Sequence, residues 1–247
     1  MSLPIGVSPT VDLGVPERAL GIGAHPDDIE FGCGGTLAKW AAAGCEVHLL
    51  VLTDGSKGSW DEGQDPGALI SVREQEQRSA AEALGAAGTH FLRLVDGELQ
   101  NGLAERARVC EVIRAVRPQV VLAHDPWKRY RIHPDHRHAG FLTLDAIVAA
   151  RDPHFFPEQL VAPHRPERAL LFEAEVVDHL EQVGDHLASK TEALLCHRSQ
   201  WRSTMRIHRD PEREIELFAA GIRERATDAG GQHGLAPAEA FKRIDRM

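Results

Sequence analysis

The stretch RALGIGAHPDDIEFGCGGT, residues 18–36, decides how this chain is read. Arg18 to Ala24 is an apolar run of strand length, a turn follows, and a helical pattern runs from about Gly35 to Ala43 before Gly44 closes it. A strand that passes through a short turn into a helix is the opening unit of a parallel sheet wrapped by helices. The alternation continues. Glu46 to Thr53 reads as a second strand, Ser71 to Leu84 as a helix stopped by Gly85, and Thr89 to Leu94 as a third strand. Leu103, Ala107, Cys110, Ile113 and Val116 share one face of a helix that ends before Pro118. Gln119 to Ala123 reads as a strand, His136 to about Ala150 as a helix and Arg168 to Glu173 as a further strand. The predicted fold class is α/β, a Rossmann-like and largely parallel sheet flanked by helices, with a less regular carboxyl-terminal part.

Asp185 to Trp201 and Pro211 to Arg225 read as later helices, the second with Asp210 as N-cap and Pro211 at its first position. Gly230 and Gly231 separate a short last segment. One domain is expected over residues 1–247, with a core at about 18–200 and a helical extension at about 201–247. Two stretches break the pattern. Asp54 to Leu69 is a long loop rich in Gly and carboxylates, and His124 to Pro134 directly follows a strand. Both leave the carboxyl ends of predicted parallel strands, the edge where open α/β sheets bind ligands.

The 247 residues carry 28 Lys plus Arg against 37 Asp plus Glu, a net charge of −9. A basic face for nucleic acid is therefore not expected. No apolar run approaches the ~20 residues of a membrane span, and Met1 to Leu20 has neither a basic start nor a compact apolar core, so a cytoplasmic protein is expected. Cys33, Cys45, Cys110 and Cys196 form no C-x-x-C pair and read as packed thiols. The composition stands out for 14 His beside one Tyr. Imidazole is the commonest metal ligand and general base.

Two clusters carry chemistry. The first is AHPDDIE, residues 24–30, ahead of Gly32, Gly34, Gly35 and Thr36. Gly21-Ile22-Gly23 begins like a dinucleotide loop, but Pro26 stands where the third glycine belongs. Capping acids would explain Asp27 and Asp28 and leave His25 unexplained. The second cluster is HPDHRH, residues 133–138, again after a strand and opening a helix. A His tract alone is compositional evidence. Two clusters at one sheet edge could instead assemble two His and a carboxylate into a metal site with open positions.

These residues, with Thr53-Asp54-Gly55, Arg73 and Glu76 in order, resemble the LmbE/PIG-L family of zinc-dependent sugar N-deacetylases. The match spans about Ala19 to Gly140, and Ser189-Lys190 with His197-Arg198-Ser199-Gln200 resembles the family's later signature. The resemblance implies one Zn2+ held by His25, Asp28 and His136. It implies Asp27 as general base and His133 as stabiliser of the oxyanion or donor to the leaving amine. Asp135 would orient that imidazole, and Arg73 and His197 would contact substrate. The implied reaction is removal of an N-acetyl group from an amino sugar or glycoconjugate by a zinc-activated water, in a protein that could be a homo-oligomer and binds neither nucleic acid nor membrane. One departure concerns a tyrosine that mycothiol-precursor deacetylases place two residues before the first His of H-P-D-H. Here that residue is Arg131, and Tyr130 is its neighbour, so either the loop register differs or the protein serves another substrate, the second being the favoured reading.

Alternatives stay open from the residues themselves. An amidase could act on a thiol conjugate or an antibiotic intermediate. Two His and a carboxylate also make a non-haem iron triad, and a fourth protein ligand would make the metal structural. Arg73 could pair with Glu76 or Gln77 along its own helix. His124 could line the site or belong to the Asp-Pro turn after it, His138 reads as structural, and His48 reads as a satisfied core imidazole. The Trp127 to Arg131 run reads as a carbohydrate or anion platform.

Overall fold

A computed structural model describes residues 8–247. The first seven residues of the stretch read above as lacking a leader lie outside the described ones. Among the described residues eight strands form one sheet: β1 (Thr10–Val11), β2 (Arg18–Gly23), β3 (Glu46–Thr53), β4 (Gly88–Leu94), β5 (Val120–His124), β6 (Arg168–Phe172), β7 (His179–Gln182) and β8 (Ala238–Asp245), in the order β1-β7-β8-β6-β5-β2-β3-β4. All pairings are parallel except those of β8. Among the described residues six α-helices accompany them: α1 (Asp28–Ala42), α2 (Pro66–Leu84), α3 (Leu103–Val116), α4 (Pro134–Arg151), α5 (Leu187–Cys196) and α6 (Pro211–Gly231). Among the described residues no helix is long and apolar enough to cross a membrane.

Strand alternation sorts the core into two layers. Leu20, Ile22, Leu50, Leu52, Val121 and Leu171 pack with α3 and α4 on one face, whereas Val47, Leu49, Val51, Leu122, Leu170 and Phe172 pack with α1, α2 and α5 on the other. Gly21 lies under α1. A Cβ there would stand 2.9 Å from Ile29 Cγ2 and 3.1 Å from Leu37 Cδ1, so the glycine lets the helix seat on the strand. The Gly-Ile-Gly sequence thus serves close packing, consistent with its failure as a dinucleotide fingerprint.

The sequence places the carboxyl-terminal segment in a helical extension, and the structure corrects this. β8 inserts antiparallel between β6 and β7 and completes the sheet. A strand of mixed polarity such as β8 draws its register from its partners, which local pattern does not show. Its Glu239 also explains a break in α1. Cys33, buried as expected, has non-helical dihedrals (φ −150°, ψ 18°), so a new helical start follows it. Glu239 caps that start, accepting from Gly35 N (2.9 Å), Thr36 N (2.8 Å) and Thr36 Oγ1 (2.6 Å), and pairs with Lys190 Nζ at 2.5 Å. Lys190 is 7% exposed. Glu239→Ala would strand that cation, and a loss of about 3–5 kcal/mol in urea unfolding is expected; retention of wild-type stability would show the cap to be dispensable.

The predicted helix over Asp185 to Trp201 is shorter, because the chain turns at His197 into a 3-10 turn (Arg198–Gln200) and a π turn (Trp201–Met205). Glu76 accepts from Ser199 N (2.8 Å) and Oγ (2.6 Å), which rewards the turn over a further helical one. α2 starts earlier than expected, at Pro66, with Asp65 accepting from Ala68 N as N-cap. Asp210 caps α6 as read.

Candidate active site

Strand order reverses at β2, whose chain continues to β3 and β4 on one side and returns to β5 on the other. The crevice at the carboxyl ends of β2 and β5 is the switch point of the sheet. Both clusters meet there, in a cleft of about 810 Å³ lined by His25, Asp27, Asp28, Arg73, His133 and His136 among others.

Asp28 stands at the centre. Its Oδ2 lies 3.2 Å from His25 Nδ1 and its Oδ1 3.2 Å from His136 Nε2. Burial would raise the Asp28 carboxyl, but the imidazoles of His136 and His124 hold it well below the usual carboxylate range. His25 presents its other nitrogen to Asp135 Oδ2 and Asp96 Oδ1, each at 3.2 Å. Burial opposes its charge, and the carboxylates of Asp135, Asp28 and Asp96 outweigh burial and raise it well above the ordinary value.

Three overlapping donor sets lie within metal-binding reach among the described residues: His25, Asp28 and His136; His25, His133 and Asp135; and His124, His136 and Glu173. Glu173 is engaged by Arg131 Nη1 at 2.5 Å. Asp135 is held by Gly97 N (2.7 Å) and Leu99 N (3.3 Å) as well as His25. In the first set His25 is backed by the outer carboxylates of Asp135 and Asp96, an arrangement that orients metal-bound His. Two imidazoles and one carboxylate suit a borderline divalent ion such as zinc.

Asp27 is 6% exposed, next to Asp28 in the chain. Burial pushes its carboxyl up to about 6, with Arg73 pulling it down and Asp28 pushing it up. It adopts φ 104°, a region that non-glycine residues seldom occupy. His133 is exposed, its ring 4.7 Å from that of His25 and 4.8 Å from that of His136. Burial and the neighbouring His25 and His136 hold its pKa below the ordinary value.

Several expected contacts fall elsewhere. Asp135 hydrogen-bonds His25 instead of His133, because the first turn of α4 directs it inward, fully buried. Arg73 does not pair along its helix. Nη2 donates to Pro26 O (2.6 Å), Nη1 donates to Gly55 O (3.0 Å), and the guanidinium lies 3.7 Å from Asp27 Oδ1. Gly55 has φ +66°, and a Cβ there would meet Arg73 Nη1 at 2.7 Å, which accounts for glycine in Thr53-Asp54-Gly55. His197 is fully buried, 3.6 Å from Glu30 Oε2, and is not among the cleft-lining residues. His48 meets Glu46 and His90.

The sequence does not single out Asp96 or Glu173 for this centre, allows His124 either the site or the turn after it, and reads Arg131 as part of a carbohydrate or anion platform. His124 is buried, its Nε2 3.3 Å from Asp28 Oδ2 and its ring stacked 4.4 Å from that of His136. Arg131 Nη1 donates to Nδ1 of His124 (3.1 Å) and of His136 (3.3 Å). The usable signal was positional. His25, Asp54, Asp96 and His124 each stand at or just beyond the carboxyl end of a parallel strand.

A family model described as GlcNAc-PI de-N-acetylase (PIG-L) matches residues 20–147. The diacetylchitobiose deacetylase of Thermococcus kodakarensis is 35% identical over 230 residues, 92% of this chain and 82% of that one. The 1D-myo-inositol 2-acetamido-2-deoxy-alpha-D-glucopyranoside deacetylase of Kineococcus radiotolerans is 36% identical over 166 residues, 55% of this chain and 46% of that one. The structure of the N,N'-diacetylchitobiose deacetylase from Pyrococcus horikoshii with its inhibitor superposes with a TM-score of 0.83 at 29% identity, covering 93% of this chain and 84% of that one.

Proposed function

This chain belongs to the PIG-L family, and from that premise we propose that it removes the acetyl group of an N-acetylated amino sugar in a zinc-dependent hydrolysis, with His25, Asp28 and His136 as the metal ligands. The observation that carries this reading is the sharing of Asp28 between two imidazoles at 3.2 Å, with a buried second carboxylate, Asp27, beside it. When bound, zinc supplies Lewis acidity for the attacking water and the amide carbonyl.

The protein's own groups divide the remaining work. Asp27 takes the proton of the attacking water, since burial sets its carboxyl near 6, close to the pH at which it must exchange that proton. His133 faces the cleft, where its imidazole offers an N–H to the oxygen on which negative charge develops. Asp135 and Asp96 hold the ring of His25. Arg73 acts through Asp27, because its guanidinium is spent on two carbonyls and that carboxylate. Asp27 also favours hydrolysis over an iron oxygenase, which needs no base there. The catalytic unit is taken as a single domain, with β8 as part of it.

The substrate class proposed is an N-acetylglucosamine disaccharide, after a relative that aligns with 92% of this chain. Acetate release from N,N'-diacetylchitobiose tests both halves. Chelation is expected to abolish release and stoichiometric zinc to restore it; undiminished release from metal-free protein would overturn the reading.

A further inference from the structure

The peptide group between Pro26 and Asp27 is held on both sides by one face of α2. Its carbonyl accepts from Arg73 Nη2 at 2.6 Å, and its N–H donates to Gln77 Oε1 at 3.2 Å. Arg73 and Gln77 are one helical turn apart, so they reach the same peptide from the same side of the helix. The orientation of this peptide determines φ of Asp27, which stands at 104°. A residue in so sparse a region persists only where its surroundings over-determine it.

Gln77 is fully buried, and a glutamine amide could turn either end toward Asp27. Glu30 decides which. Its carboxylate, also fully buried, accepts from Gln77 Nε2 at 2.6 Å and so leaves Oε1 facing the Asp27 N–H. The second oxygen of Glu30 lies 3.6 Å from His197 Nε2, which gives the buried imidazole of the late signature a place behind the site instead of in it. We propose that Gln77, oriented by Glu30, is a positioning residue that fixes the backbone of Asp27 and thereby aims its carboxylate at the attacking water. This rests on the reading of Asp27 as the base.

The test is an exchange of donor and acceptor. Gln77→Glu sets two carboxylates against each other where the 2.6 Å contact now lies, and kcat for diacetylchitobiose is expected to fall on the order of 100-fold with KM and bound zinc unchanged. Adding Glu30→Gln returns a donor to the contact and an acceptor to Asp27, and kcat should recover to within a few-fold of wild type. Gln77→Met removes the acceptor without adding charge. It should show the same loss in kcat at constant KM, and it decides the matter if Gln77→Glu does not fold. Wild-type kcat in Gln77→Met, or a folded exchange variant without recovery, overturns the proposal. Asp27→Asn run in parallel separates the two levels. If it is inactive while Gln77→Met is fully active, the clamp fails and the base stands; if Asp27→Asn is itself fully active, the reading of the base fails.

Discussion

Asp27→Asn is expected to cut deacetylation by on the order of 10² to 10⁴-fold while the protein keeps its metal and its fold. Asparagine is the variant to use. It tolerates positive φ better than alanine does, so the strained backbone at 104° survives the change. It also retains a carbonyl oxygen of nearly the same size, and Arg73 at 3.7 Å still finds an acceptor. What it loses is basicity. An amide cannot take the proton of the attacking water at neutral pH, so the fall should appear in kcat, with KM little changed because the group acts on the water. Steady-state rates of acetate release, with metal content measured on the same preparation, check this. A variant that keeps full kcat would remove Asp27 from the chemistry and leave its burial and raised pKa as consequences of packing alone.

The second large effect is expected at the proposed metal ligands. His136→Ala removes one of the two imidazoles that meet Asp28 and leaves a two-residue set, too few to hold zinc at submicromolar concentration. Losing the ion forfeits several kcal/mol of transition-state stabilisation, which is at least about 1,000-fold in rate. Asp135→Asn provides the graded comparison. Asp135 touches His25 from outside the donor set, and removal of such an outer carboxylate typically weakens metal binding by about 10- to 100-fold. The pair therefore predicts an order: His136→Ala purifies without zinc and stays inactive when zinc is added, whereas Asp135→Asn regains activity as zinc is raised. Full zinc occupancy in His136→Ala would move the site to another of the overlapping donor sets, and loss of zinc response in both would make Asp135 a ligand itself.

The Asp135 assignment also shows where reading by proximity in the chain fails. A single residue, Pro134, separates His133 from Asp135, and a carboxylate so close looks like the partner of that imidazole. Pro134 at the first position of α4 instead starts a helical turn that carries Asp135 inward to His25 and to the amides of Gly97 and Leu99. His197 is a parallel case. Its sequence signature suggested substrate contact, yet the turn after α5 buries it against Glu30, so its role passes through two other side chains.

The sequence by itself determined the βα alternation, the sheet edge that carries the site and the residues that meet there. These are legible because strand and helix periods are local, and because A-H-P-D-D and H-P-D-H each sit within a few residues of a strand end. Only the tertiary structure decided which group touches which. It placed β8 in the sheet, brought His124, Asp96 and Glu173 to the centre, and set Arg73 and Gln77 on either side of one peptide bond. Those contacts join residues tens of positions apart. Their geometry depends on how α2 packs against the β2–α1 turn and where each strand ends, which no local pattern records.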